Sequence, residues 1–157
     1  MPNKLIENNL KISAKLMINH IKSLKKINCE YNSVFGDCCE VTILYKKDFY
    51  RINEHYSGLY WGASINAFIN LANKKGYEFI GSNKNGKNAF FIRKDLVHHV
   101  DNKIKEKECS MSKYRESKAI TGKLTFISEE DRINLIKEME VYNLKNGKVE
   151  IKKNVYE

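Results

Sequence analysis

Apolar residues at Ile6, Leu10, Ala14, Met17, Ile21 and Leu24 recur every three to four positions and leave the lysines on the opposite side. That spacing predicts an amphipathic helix over residues 4–26. Its expected role is packing on a sheet. A membrane-surface helix is the alternative, disfavoured because no aromatic anchor accompanies it. Ile27 to Tyr31 is short and bounded by Lys-Lys and Asn, and reads as a buried strand of a parallel sheet. Residues 34–62 then lose periodicity, apart from a short strand-like run at Val41–Tyr45. Phe49, Tyr50, Tyr56, Tyr60 and Trp61 crowd into this segment. Such a stretch is a binding loop or lid, or else a plug at one end of a core.

Periodicity returns at Ser64, which has the chemistry of a helix N-cap. Ile65, Phe68, Ile69 and Ala72 form one face, and Gly76 stands where a left-handed C-terminal residue belongs. Tyr77–Ile80 and Ala89–Ile92 read as strands flanking "GSNKNGKN", with Asn85-Gly86 as a hairpin signal. Residues 101–118 are charge-rich and expected to be a surface excursion. "KLTFIS" is a short strand. Ser128 with Asp131 resembles a capping box opening a helix with Ile133, Ile136 and Met139 along one side. "VYNLKNGKVEIKK" closes the chain as a second Asn-Gly hairpin. The fold class is α/β, divided into residues 1–100 and an extension, 101–157.

Gly81 and Gly86-Lys87 spell most of a phosphate-binding loop, G-x-x-x-x-G-K-[ST]. The motif requires a helix after the lysine and a hydroxyl for the metal. Position 88 is Asn and the residues beyond it are strand-like. The hairpin is therefore the reading taken, its glycines and asparagines serving positive φ values.

The 157 residues have 42% apolar content and 30% charge, as expected of one folded domain. The net charge of +9 raises nucleic-acid binding. Only four of the twenty-eight basic residues are Arg, and the charge is spread along the chain, so that reading is disfavoured. Cys29, Cys38, Cys39 and Cys109 form no C-x-x-C pair and read as reduced thiols. His98 and His99 would point to opposite faces of a strand, so no metal site is expected. The absence of an apolar core in "MPNKLIENNLKIS" predicts a cytoplasmic protein, and no run is long and apolar enough to span a membrane.

Several short motifs add a resemblance. They are Glu30-Tyr31-Asn32, Phe35-Gly36, Tyr60, Gly62-Ala63-Ser64, Lys75-Gly76-Tyr77, Gly81, Asn83, Asn88 to Arg93 and Asp95-Leu96. Arg115-Glu116-Ser117, Gly122, Leu124-Thr125 and Arg132 follow in the tail. In this order they resemble the C-terminal half of an uncharacterised bacterial family related to FkbM-type S-adenosylmethionine-dependent methyltransferases. The resemblance implies a partial Rossmann-like sheet ending in an antiparallel hairpin. It also implies a chain without the glycine-rich half that holds the cofactor, since none of the eight glycines forms G-x-G.

On that basis the expected activity is methylation of a hydroxyl on a sugar or other small metabolite, with S-adenosylmethionine as cofactor by resemblance only. Glu30 is the candidate base or hydroxyl-orienting residue. Tyr31, Asn32, Tyr60, Trp61, Ser64, Asn83 and Asn88 are the candidate substrate-binding residues. The carboxyl end of the strand at 27–31 is where open α/β sheets place ligands; a solvent-facing polar strand end is the alternative. The competing function is a non-catalytic interaction module that completes its sheet with a partner. The expected partners are a complementary N-terminal half or a second copy, through an open edge of residues 27–31, unless the C-terminal hairpin covers that edge.

Overall fold

The computed structural model describes residues 25–100, 109–112 and 117–155. The helix expected over residues 4–26 lies outside the described residues up to position 24, and Lys26 already belongs to a strand. Three sheets form. The first contains β1 (Lys26–Glu30), β3 (Tyr77–Ser82) and β4 (Asn88–Arg93) in the order β1-β4-β3. The second contains β2 (Val41–Thr42), β7 (Glu140–Asn143) and β8 (Lys148–Ile151). The third is the two-stranded hairpin of β5 (Ser117–Lys118) and β6 (Leu124–Thr125).

The strand expected to be buried has Lys26, Asn28 and Glu30 exposed, and its described neighbour is the antiparallel β4 of the hairpin. β1 runs antiparallel to β4, with Ile27 opposite Phe91 and Cys29 opposite Ala89. The reason lies in the connections. Helix α2 (Ile65–Lys74) reverses the chain, so β3 runs in the same direction as β1. The tight turn at Asn83–Gly86 then sends β4 back between them. β1 and β3 are therefore co-directional strands separated by one antiparallel strand. The C-terminal hairpin does not cover β1; it extends β2 instead.

Ser64 caps α2 as its chemistry predicts. Its hydroxyl accepts from the Ala67 N–H at 3.3 Å, and Gly76 beyond the helix end has φ +85°. Ser128 likewise accepts from the Asp131 N–H at 3.1 Å and opens α3 (Glu129–Leu135). The reciprocal half of a capping box is absent, because the Ser128 hydroxyl donates to the Asp131 carboxylate at 2.7 Å. The short α1 (Arg51–Glu54) sits in the aromatic segment.

Two apolar clusters result among the described residues. One gathers Cys29, Tyr31, Ile65, Tyr77, Phe79, Ala89 and Phe91, with Ile27, Phe68, Ile69, Ala72 and Cys109 packed against it. The other gathers Val34, Phe35, Cys39, Val41, Leu59, Tyr60, Ile136 and Val141. Burial of such side chains supplies about 1.5–3 kcal/mol each.

Three local expectations are revised. Within residues 101–118, the described part at 109–112 is held inward. The Ser110 N–H donates to Ser82 Oγ at 3.0 Å, and the Ser112 N–H to Ser33 Oγ at 2.9 Å. Ser112 is buried. In the 83–88 turn only glycine takes positive φ. Asn83 serves through its side chain instead, its Oδ1 accepting from the Lys87 and Asn88 N–H groups at 3.1 Å each. His98 and His99 lie in a 3-10 turn (Lys94–His99), not a strand, so their rings meet at 3.9 Å rather than facing apart.

Candidate functional site

β1 ends at Glu30, and the chain crosses directly into a 3-10 turn at Ser33–Phe35. Asn32 makes this crossing. Its Oδ1 accepts from the Val34 N–H at 3.0 Å, capping the turn. Its Nδ2 donates to the Leu59 carbonyl at 2.7 Å and the Trp61 carbonyl at 2.9 Å. The side chain, 1% exposed, ties the end of β1 to the aromatic segment. Its hydrogen-bonding capacity is thus directed into the fold.

The other sequence-derived residues divide in the same way. The Ser64 hydroxyl, besides capping α2, accepts from the Val41 N–H at 3.0 Å and donates to the Cys39 carbonyl at 2.8 Å. Tyr60 is a plug of the second cluster. Its hydroxyl donates to the Glu140 carbonyl at 2.6 Å, and burial pushes its pKa up to about 12. Trp61 is half-buried, while Tyr45, Tyr50 and Tyr56 are exposed. Asn83 and Asn88 belong to the hairpin described above. Glu30 is exposed and faces Asn88 across the β1–β4 ladder.

A small cavity of about 100 Å³ opens at the carboxyl end of β1. Tyr31, Ser33, Gly36, Asp37, Ile65, Cys109, Ser110, Met111 and Glu129 line it. Of the sequence-derived residues only Tyr31 takes part. Its hydroxyl donates to the Ser110 carbonyl at 2.5 Å, and burial raises its pKa against the lowering effect of Ser82 and Ser110. Burial, reinforced by the charge of Asp37, also raises the Cys109 thiol. Both groups are therefore protonated, neutral donors at pH 7, and Cys109 is not an activated nucleophile. Asp37 and Glu129 bring exposed carboxyl groups to the lining.

The volume is well below the roughly 300–1,000 Å³ of ordinary small-molecule sites. It suits a few waters or a very small solute. Residues 109–111 and Glu129 reach this place only through tertiary packing, and no local sequence signal marks them. Among the described residues no group of three or more His, Cys, Asp or Glu could hold a metal ion. None of the described helices is long and apolar enough to cross a membrane.

His55 and Ser57 form a second polar arrangement. Ser57 is fully buried, its N–H donates to His55 Nδ1 at 3.3 Å, and its Oγ lies 2.7 Å from that nitrogen. Because the backbone N–H points at Nδ1, that nitrogen is the acceptor and the ring proton sits on Nε2. The Ser57 hydroxyl then donates to His55 and accepts from the Leu59 N–H at 3.2 Å. The pair braces the segment, and burial of the serine keeps it from acting as a nucleophile.

No family model, curated protein or solved structure matches this chain.

Proposed function

We propose that this chain is the sheet-completing half of a Rossmann-like, methyltransferase-type domain and works as an interaction module. Its partner would be a polypeptide carrying the glycine-rich half of such a sheet. The observation that carries the reading is the state of β1. The Arg93 N–H donates to the Lys25 carbonyl at 3.0 Å and the Tyr31 N–H to the Lys87 carbonyl at 2.9 Å, so the odd-numbered residues of β1 face β4. The backbone groups of Lys26, Asn28 and Glu30 consequently point outward. Among the described residues no strand pairs with that side.

Two further features support it. β1 and β3 are co-directional with β4 antiparallel between them, the geometry of a parallel sheet whose last strand returns as a hairpin. A strand added outside β1 would extend that sheet by main-chain hydrogen bonding. Most of the polar side chains first considered for substrate binding also serve the fold, leaving a cavity too small for a nucleoside cofactor. S-adenosylmethionine would then be held chiefly by the partner. Glu30, exposed at the end of the outward-facing edge, would stand at the junction, where it could orient a substrate hydroxyl.

Amide hydrogen exchange on the isolated monomer tests the docking edge. Lys26, Asn28 and Glu30 should exchange fast while Ile27, Cys29 and Tyr31 are protected. Equal protection of both sets would overturn the reading. Calorimetric titration with S-adenosylmethionine tests the division of labour. Saturable micromolar binding by the folded chain alone would return it to the class of self-sufficient enzymes.

A further inference from the structure

The tetrapeptide Lys-Asn-Gly-Lys occurs twice, at residues 84–87 and 145–148. One copy turns the chain between β3 and β4, the other between β7 and β8. The backbones of the two turns are alike. The Gly86 N–H donates to the Asn83 carbonyl at 3.0 Å, and the Gly147 N–H to the Asn143 carbonyl at 2.9 Å. The glycines have φ +66° and +72°. The asparagine side chains differ. Asn146 is held at both polar atoms: its Nδ2 donates to the Glu150 carboxylate at 2.7 Å, and its Oδ1 accepts from the Lys148 N–H at 3.0 Å. Asn85 is exposed, and among the described residues no group hydrogen-bonds its side chain.

An asparagine before glycine is open to attack by its own main chain, because no Cβ hinders the approach of the glycine nitrogen. That nitrogen gives its proton to hydroxide and bonds to the asparagine Cγ, closing a five-membered imide. The Cγ–Nδ2 bond breaks, and ammonia leaves after taking a proton from water, which restores the hydroxide. Water then opens the imide at either carbonyl. The product is aspartate or isoaspartate, with one new negative charge. Water is the sole co-reactant, and nothing is oxidised or reduced.

The neighbouring residues are identical at the two copies, so local sequence does not distinguish them. Release of the glycine N–H is required in both turns and cancels. The side chain decides, since it must rotate until Cγ meets the nitrogen. Asn146 must first give up two hydrogen bonds, one of them to a charged group, and Asn85 gives up none. We infer that Asn85-Gly86 is a deamidation site and that the fold protects Asn146-Gly147. The site is coupled to the cavity at the end of β1. Isoaspartate lengthens the main chain by one carbon, in a turn whose Gly86 already lies against the backbone of Met111 and Ser112. The lengthened turn displaces the 109–112 segment, which brings Cys109, Ser110 and Met111 to the cavity lining.

Ageing the full chain at mildly alkaline pH, followed by peptide mass mapping, tests this. In the folded chain Asn85 should convert at least about tenfold faster than Asn146. In urea the two should convert at equal rates. Glu150→Ala should speed conversion of Asn146 and leave Asn85 unchanged. Alkylation of the half-buried Cys109, located by the same mapping, should be faster in aged than in fresh protein. Ageing should leave it unchanged in Asn85→Gln. Equal rates at the two sites in the folded chain, or conversion of both in urea and of neither when folded, would overturn the assignment. Cys109 reactivity that stays constant as Asn85 converts would overturn the coupling to the cavity.

Discussion

Gly86 lies so close to Ser112 that a Cβ on the glycine would collide with the backbone of residues 111 and 112. The hairpin glycine therefore meets two demands. It supplies φ +66°, and it lets the 109–112 segment lie across the turn. Gly76 has φ +85° but open space around the same position. Gly76→Ala should cost about 1 kcal/mol from backbone strain alone. Gly86→Ala should cost at least about 2 kcal/mol more, because backbone must move to admit it. Urea denaturation of the two variants measures the difference; equal midpoints would remove the close approach from the account.

Asn32 offers a test of chemistry at constant shape. Its Nδ2 faces two carbonyls, those of Leu59 and Trp61. Asn32→Asp replaces that donor with an acceptor of the same size, turning two hydrogen bonds into two repulsive contacts. Asn32→Ala leaves both carbonyls and the Val34 N–H unmet but introduces no repulsion. Both should destabilise, by about 2–4 kcal/mol, with Asp the worse at pH 7. The order should narrow in acid, where a protonated carboxyl can donate once. Thermal melts at pH 7 and pH 4 decide it.

His55 should give the fold an acid sensitivity. Burial lowers its pKa below the ordinary 6.5. Between the folded value and 6.5 the unfolded chain binds more protons. The contribution is therefore fully present above pH 6.5 and is lost as pH falls through the folded pKa. The geometry acts in the same direction, since a proton on Nδ1 would confront the Ser57 N–H. Urea midpoints between pH 5 and 8 should fall on acidification in wild type and fall less in His55→Gln. Parallel curves would dismiss the histidine as the source.

Lys152 should act in the alkaline range. The side chain is 1% exposed, and burial lowers its pKa from 10.5 to about 8. Below pH 8 the folded state carries the desolvation cost of the charged amine. As pH rises from 8 to 10.5 the unfolded chain holds the extra proton, so stability increases, by about 3 kcal/mol in total. Cys29, with its thiol pushed up to about 12, works in the opposite direction above pH 9. The informative quantity is therefore the difference between wild type and Lys152→Met. That difference should shift in favour of wild type from pH 8 to 10.5, and a flat difference would refute the assignment.

Local chemistry made much of the secondary structure legible. The hydroxyls of Ser64 and Ser128, the spacing of Ile65, Phe68, Ile69 and Ala72, and the Asn-Gly turns act over a few residues, and α2, α3, β3, β4, β7 and β8 appear where they predict. The candidate site was far less legible. Tyr31, Asn32, Tyr60 and Ser64 are polar-capable residues in a stretch that runs from a strand end through an aromatic segment to a helix start. A sequence reports that such a group exists but not which atom satisfies it. Asn32 found the carbonyls of Leu59 and Trp61, twenty-seven and twenty-nine residues away, and Tyr60 found Glu140, eighty away.

The direction of β4 against β1, and the joining of β2 to β7, are likewise pairings between distant segments. Strand periodicity is identical for parallel and antiparallel neighbours, so alternation cannot choose between them. The sequence by itself determined where α2 and α3 begin, where the Asn-Gly turns fall and which face of α2 is apolar, because those depend on neighbouring side chains and backbone sterics. Only the tertiary structure decided which polar groups were spent on the fold, which edge of β1 faces away from β4, and that Ile120, Leu124 and Phe126 stand in solvent. Those outcomes depend on what lies across space from each residue.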